Sequence, residues 1–233
     1  GFDWSVAERE LGWERGEPIN IGWYCTDRIC GQGHGARPAL LWEGSAGEER
    51  RYTYDDLRVL SNTIAAYLQR LGIQPGERVC LFLDRVPELY IGFLGILKMG
   101  GIAQPLFSAF GDESLHTRLD NAQTSAIVTQ RKHVAKVRKI RDSLPSLRHI
   151  IVVDGAEGPP LQAREVPLAL DQEPRVESFT CFPSGAETPS VLHYTSGTTG
   201  QPKGAQHVHS SLVAQYLTSK WVLDLKPDDV YWC

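Results

Sequence analysis

The run Tyr194-Thr195-Ser196-Gly197-Thr198-Thr199-Gly200-Gln201-Pro202-Lys203-Gly204 concentrates the residue types that hold a polyphosphate. Gly197, Gly200 and Gly204 reach backbone angles closed to other residues, so successive N–H groups can turn inward around an anion. Thr195, Ser196, Thr198 and Thr199 add hydroxyl donors, and Lys203 adds a mobile positive charge. Pro202 disfavours helix at Gln201 and keeps the stretch open up to the lysine. The spacing is not that of the P-loop, G-x-x-x-x-G-K-[ST], because, counted from Gly197, Pro202 stands where the second glycine belongs. Ser/Thr/Gly clusters are ordinary loop composition, but hydroxyls, glycines and a lysine together in one turn point to phosphate.

Other chemistry is thinner. Arg131, Lys132, Lys136, Arg138, Lys139, Arg141 and Arg148 face a single acid, Asp142. That pattern is a solvated helix face or a patch for a phosphate-bearing partner. His207 and His209 have no third ligand at useful spacing, so they read as residues that orient the loop or pack beneath it, with no metal site. Asp228 and Asp229 read as turn residues before a last strand. No Ser-His-Asp or Cys-His set supplies a nucleophile.

The elements that must position the loop alternate. Residues 191–194 read as a strand and residues 210–221 as a helix carrying Leu212, Val213, Tyr216 and Leu217, which gives the order strand, loop, helix. Upstream, residues 39–42 and 50–54 form two strands around a Gly44 to Gly47 turn. Thr53 with Asp56 caps a helix whose stripe is Leu57, Leu60, Ile64, Leu68 and Leu71, stopped at Gly72. Strand 79–83, a helix over 88–99 behind Pro87, strand 102–107, a helix capped by Asp112, strand 125–129, a basic helix and strand 149–153 follow. Gly92 and Gly95 inside a helix imply close packing against a neighbour. This alternation predicts an α/β fold, a mostly parallel sheet flanked by helices on both faces. Residues 1–35, with Trp4, Trp13, Trp23 and Tyr24, read as an irregular arm anchored by its aromatics, and residues 155–189, with six prolines, as a surface connection holding one helix at most.

With 233 residues, 42% hydrophobic, 22% charged and a net charge of −4, the chain has a globular composition and no electrostatic reason to bind nucleic acid or an anionic membrane. Five scattered cysteines without a C-x-x-C pair argue for reduced thiols in the cytosol. The longest apolar stretch, residues 89–97, is far short of the ~20 residues of a membrane span, and no signal peptide is visible, so a cytoplasmic location is expected. The chain starts at Gly1 and stops within what reads as a strand, residues 230–233, and is expected to be a fragment.

The run LHYTSGTTGQPKGAQHVH resembles the signature of adenylate-forming enzymes. Its surroundings, NIGWYCTDR and PELYIGFLGILKMGGIAQPLFSAFG before it and SKWVLDLKPDDVYWC after it, are similar to acetyl-CoA synthetases in particular. The resemblance implies the N-terminal part of that fold, with an incomplete AMP-binding domain over residues 36–233. It implies two steps with Mg²⁺: acetate attacks the α-phosphorus of ATP to give acetyl-AMP and pyrophosphate, and the CoA thiol then displaces AMP. Thr195, Ser196, Gly197, Thr198, Thr199, Gly200 and Lys203 would face the pyrophosphate side, and Arg138 and Arg141, with the spacing of an Arg-x-x-Arg pair, would meet CoA. The resemblance places the adenine, magnesium and carboxylate ligands and a second lysine beyond Cys233, which makes the chain alone catalytically incomplete. Another short acid such as propionate, loading of a carrier protein, or a non-catalytic nucleotide-binding module are the competing readings.

Overall fold

A computed structural model of the protein describes residues 3–155, 158–195 and 202–232. Its centre is a seven-stranded sheet of β3 (Arg78–Phe82), β4 (Ile102–Pro105), β5 (Ala126–Thr129), β6 (His149–Val152), β7 (Glu165–Pro167), β8 (Pro189–Thr195) and β9 (Lys203–Val208). The order across the sheet is β7-β6-β5-β3-β4-β8-β9, parallel throughout except for the final β8–β9 pair. A separate antiparallel hairpin joins β1 (Pro38–Glu43) to β2 (Glu49–Thr53). Both the parallel sheet and the hairpin agree with the sequence reading.

Alternate residues of the strands feed two cores, as the two-residue side-chain period requires. Val79, Leu81, Ala103, Ala126, Val128 and Ile151 pack under α4 (Tyr54–Arg70) and α5 (Pro87–Lys98). Cys80, Phe82, Ile127, Ile150 and Val152 pack under α6 (Asp112–Asn121) and α7 (Arg131–Ile140). The Thr53–Asp56 capping box forms, with the Asp56 N–H donating to Thr53 Oγ1 at 3.1 Å and the Thr53 N–H to Asp56 Oδ2 at 2.8 Å. Gly72 follows α4 at φ +79°. The helix expected to be capped by Asp112 instead has Gly111 at its cap, and Asp112 opens its first turn.

Three expectations need correction. The arm over residues 1–35 is largely helical: α1 (Trp4–Leu11), α2 (Ile21–Cys25) and α3 (Asp27–Ile29), which runs into a π-helical turn over Cys30–His34. Asp3 caps α1 through the Ser5 N–H at 2.8 Å, and Gly12 ends it at φ +73°. Its aromatics also divide: Trp13 and Tyr24 are buried, but Trp4 and Trp23 are exposed. Second, the described part of the connection over residues 155–189 is more than a surface link: it contributes the short edge strand β7, and no helix. Third, residues 230–232 form no strand, and Val230, Tyr231 and Trp232 are exposed.

Polar contacts seat the arm on the core. Lys98, fully buried at the end of α5, donates from Nζ to Asn62 Oδ1 and pairs with Asp27 Oδ2, both at 2.7 Å. Burial pushes its pKa down, and Asp27 opposes that shift. Asn20 Nδ2 donates to the carbonyls of Leu97 at 2.8 Å and Phe182 at 3.1 Å, and the Ile19 N–H donates to Ser184 O at 2.7 Å. Among the described residues, no helix is long and apolar enough to cross a membrane.

The helix glycines of α5 answer to close packing. A Cβ on Gly95 would stand 2.7 Å from Ile64 Cγ2 and 2.9 Å from the Ser61 carbonyl oxygen. Overpacking of that kind costs about 1–3 kcal/mol, more than the ~1 kcal/mol that alanine gains in helix propensity. Gly95→Ala should therefore lower stability in urea unfolding. A stability equal to or above the parent's would show that α4 and α5 are not in contact there.

Candidate phosphate-binding hairpin

β8 and β9 form the neck of the candidate loop. Their register sets Thr195 opposite Lys203, Tyr194 opposite Gly204 and His193 opposite Ala205. The sequence order strand, loop, helix is thus corrected to strand, loop, strand, helix, with α8 (Ser211–Leu217) starting only after β9. Ser196, Gly197, Thr198, Thr199 and Gly200 lie outside the described residues. Thr195 and Lys203 are exposed at the two ends of that segment. In an antiparallel ladder, directly paired residues are about 5 Å apart at Cα, so the lysine charge and the threonine hydroxyl serve one small volume.

Sequence reasoning missed β9 for a definable reason. Lys203–Val208 has an almost wholly exposed edge strand with no apolar alternation, so ladder hydrogen bonds hold it where a hydrophobic face would otherwise do so. The residue behind the neck is better anchored. Tyr194 donates its hydroxyl to Asn121 Oδ1 at 2.6 Å, and its ring lies 3.6 Å from where a Cβ on Gly204 would stand. The tighter neighbour of that position is Leu192, whose Cδ1 would stand 3.1 Å from the Cβ, and the place of Gly204 in the β ladder asks for no left-handed turn.

The two histidines part company. His207 is exposed on β9, and its ring meets that of His193 edge to face at 5.6 Å. His209 is fully buried: its N–H donates to Thr188 O at 3.0 Å, and its Nδ1 accepts the Ile21 N–H at 3.1 Å. That contact places the proton of the neutral ring on Nε2, which has no partner among the described residues. Burial pushes the His209 pKa down to about 4. Among the described residues no group of three or more His, Cys, Asp or Glu side chains could hold a metal ion. By themselves the described residues form no closed metal site.

The basic helix α7 is tied down along its length. Arg138 forks onto Glu165 through Nε at 2.7 Å and Nη2 at 2.8 Å, and Arg141 reaches the same carboxylate at 3.3 Å and Ala163 O at 3.1 Å. The Glu165 side chain is fully buried, and Arg138 above all holds its carboxyl below the usual range. Arg138 and Arg141, which the resemblance implied would meet CoA, here clamp the edge strand β7. Lys132 and His133 both pair with Asp84, which follows β3, and Lys132 is the main reason that the Asp84 carboxyl is held low. Lys136 donates to the carbonyls of Ser108 at 2.9 Å and Phe110 at 3.1 Å, after β4. These groups meet at the carboxyl ends of the strands, where β4 lies on one side of β3 and β5 on the other. In open α/β sheets such a reversal of strand order forms a ligand crevice.

The sequence profile of AMP-binding enzymes matches residues 28–233. Acetyl-coenzyme A synthetase from Bacillus subtilis (strain 168) is 36% identical over 235 residues, which cover 100% of this chain and 40% of that protein. The chain thus spans well under half the length of this curated relative. Among solved structures, an acyl-CoA synthetase of Brucella canis superposes with a TM-score of 0.88 at 26% identity over 99% of this chain and 41% of the other. Acetoacetyl-CoA synthetase from Streptomyces lividans, at 21% identity, shares the fold with a TM-score of 0.84 over 97% of this chain and 39% of the other.

The buried imidazole makes a measurable prediction. A folded pKa of about 4 against an ordinary value of 6.5 means that the unfolded chain takes the proton first as pH falls. The stability due to neutral His209 is fully present above pH 6.5 and lost on the way down to pH 4, with about 2 kcal/mol gone by roughly pH 5. His209→Asn keeps an acceptor for the Ile21 N–H and should flatten this slope in urea unfolding at stepped pH. An unchanged slope would remove His209 as its source.

Proposed function

The chain belongs to the AMP-binding enzyme family, and on that premise we propose that it carries the pyrophosphate-side loop of an ATP-dependent acid–CoA ligase whose acid is acetate. The observation that carries the reading is the β8–β9 neck, which presents Lys203 opposite Thr195 on either side of the Ser/Thr/Gly run. Acetate would attack the α-phosphorus of ATP, one acetate oxygen forming the new P–O bond while the bond to the pyrophosphate oxygen breaks. The CoA thiol would then attack the acetyl carbon, lose its proton and expel AMP. The electrostatic problem is an anion attacking a polyanion, so charge must be neutralised and the β- and γ-phosphates held while the α-phosphorus stays open.

In this reading Thr195, Ser196, Gly197, Thr198, Thr199 and Gly200 donate hydroxyl and backbone N–H groups to the leaving phosphates, and Lys203 supplies the positive charge at the loop's exit. Mg²⁺ would arrive on the ATP phosphates, with no protein site for it among the described residues, and would offset their charge. CoA is proposed to meet α7 through Arg138 and Arg141, where its phosphate must share or displace the Glu165 carboxylate that both now hold. Acetate is chosen because the Bacillus subtilis relative is an acetyl-coenzyme A synthetase similar over the whole of this chain; propionate is the next acid to try. The division into an arm of residues 1–35 and an AMP-binding domain of residues 36–233 belongs to the same proposal, as does a cytoplasmic setting, which suits the free thiols Cys25, Cys30, Cys80 and Cys181.

The test is acetate-dependent ATP–pyrophosphate exchange by the protein in its full gene-encoded length. Lys203→Ala should slow adenylation by about 100-fold while thiolation of supplied acetyl-AMP changes less than about threefold. Equal losses in the two half-reactions would remove Lys203 from the pyrophosphate side, and absence of exchange with any short acid would overturn the ligase reading.

A further inference from the structure

Arg118 on α6 is a buried cation, 9% exposed, with no carboxylate within ion-pair distance among the described residues and with its Nε unpartnered. Its Nη1 donates to the Ser114 carbonyl at 2.8 Å and to Ser114 Oγ. Two aromatic rings also lie against it: the guanidinium carbon stands 4.3 Å from the ring centre of Phe110 and 5.9 Å from that of Tyr194. For filling space alone, a side chain such as methionine would avoid the desolvation of a charge. What the cation adds is orientation, because a guanidinium between two π faces fixes both rings relative to it.

Each ring leads to a different loop. Phe110 belongs to the segment after β4, beside Lys136, at the carboxyl ends of the strands. Tyr194 stands at the end of β8, immediately before Thr195, with its ring against Gly204 across the ladder. Asn121, three residues after Arg118 on α6, takes the Tyr194 hydroxyl, so one helix holds that side chain at ring and hydroxyl. The backbone of α6 is itself held to β4, since Gln104 Nε2 donates to the Arg118 carbonyl at 3.2 Å and Thr124 donates to Gln104 Oε1 at 2.7 Å.

We infer that Arg118 is a positioning residue that fixes Tyr194, and through it the Thr195–Lys203 end of the β8–β9 neck, to the segment around Phe110, so that the neck and that segment hold a set geometry during adenylation. This role rests on the ligase reading above, although the contact geometry does not.

Two measurements test it. In the full-length protein, Arg118→Met and Tyr194→Leu should each lower kcat for ATP–pyrophosphate exchange by about tenfold with KM for ATP changed less than about twofold. The double variant should be no slower than the worse single one, since both remove the same contact. Additive losses, an unchanged kcat in Arg118→Met, or equal losses in acetyl-AMP thiolation would overturn the role. The second readout needs no activity: tryptic cleavage after Lys203, followed by mass spectrometry, should quicken about tenfold in Arg118→Met, and an unchanged rate would overturn the role. Should Arg118→Met fail to fold, Arg118→Lys, which keeps the charge but has no planar group to set between two rings, is read by the same outcomes. A wild-type protein without exchange would refute the ligase reading alone, and the cleavage rates would then decide the fate of Arg118.

Discussion

β3 is hydrogen-bonded on both sides, to β4 and to β5, and its residues Val79–Phe82 are fully buried. A strand paired on both edges and apolar on both faces has no tolerable contact with water, so both faces must be covered. α4 and α5 cover one, and α6 and α7 the other. Because every crossover returns to start a parallel strand, the segments after β3, β4 and β5 collect at one end of the sheet. Asp84, Phe110, Lys132, His133 and Lys136 are neighbours there through this topology, although their positions in sequence are far apart.

The second layer of organisation is polar. Lys98, Asp27, Asn62, Asn20 and His209 all act where the helical arm meets the core. A buried ion pair contributes little net stability, because removing two charges from water consumes most of the attraction. Its effect is directional: Lys98 must find both Asp27 and Asn62, or a fully buried ammonium stays unsatisfied. Shape complementarity of Ala7, Leu11, Trp13 and Ile19 with Val213 and Leu217 then fills the joint.

The charges of α7 follow the same rule on the opposite face. A row of cations looks like a waiting ligand surface, yet each of Arg131, Lys132, Lys136, Arg138 and Lys139 already meets a carboxylate or a carbonyl from another element. These contacts gather Asp84, Asp112, Asp154 and Glu165 around one helix, so part of the formal excess of positive charge in that stretch is offset across the fold.

Local pattern was sufficient wherever a segment has an apolar surface of its own to bury. The capping box at Thr53, the stripe Leu57–Ile64–Leu68, the all-apolar run of β3 and the tight glycines of α5 are written in residue type and spacing, and with them the parallel sheet and its two helical layers. The Ser/Thr/Gly run proposed to hold phosphate stood out as well, because it is a matter of residue types within a few positions. The helix α1 was legible in principle, through Asp3 and Gly12 as its start and stop, but the aromatics of the arm masked it. Tertiary structure alone decided β9 and β7, since an exposed polar edge strand and a short strand ending in proline have no hydrophobic period of their own. It also decided which cations are engaged, and that Arg118 lies between Phe110 and Tyr194. Partners contributed by distant segments leave no trace in the spacing of either one, because only the closing of the sheet brings them together.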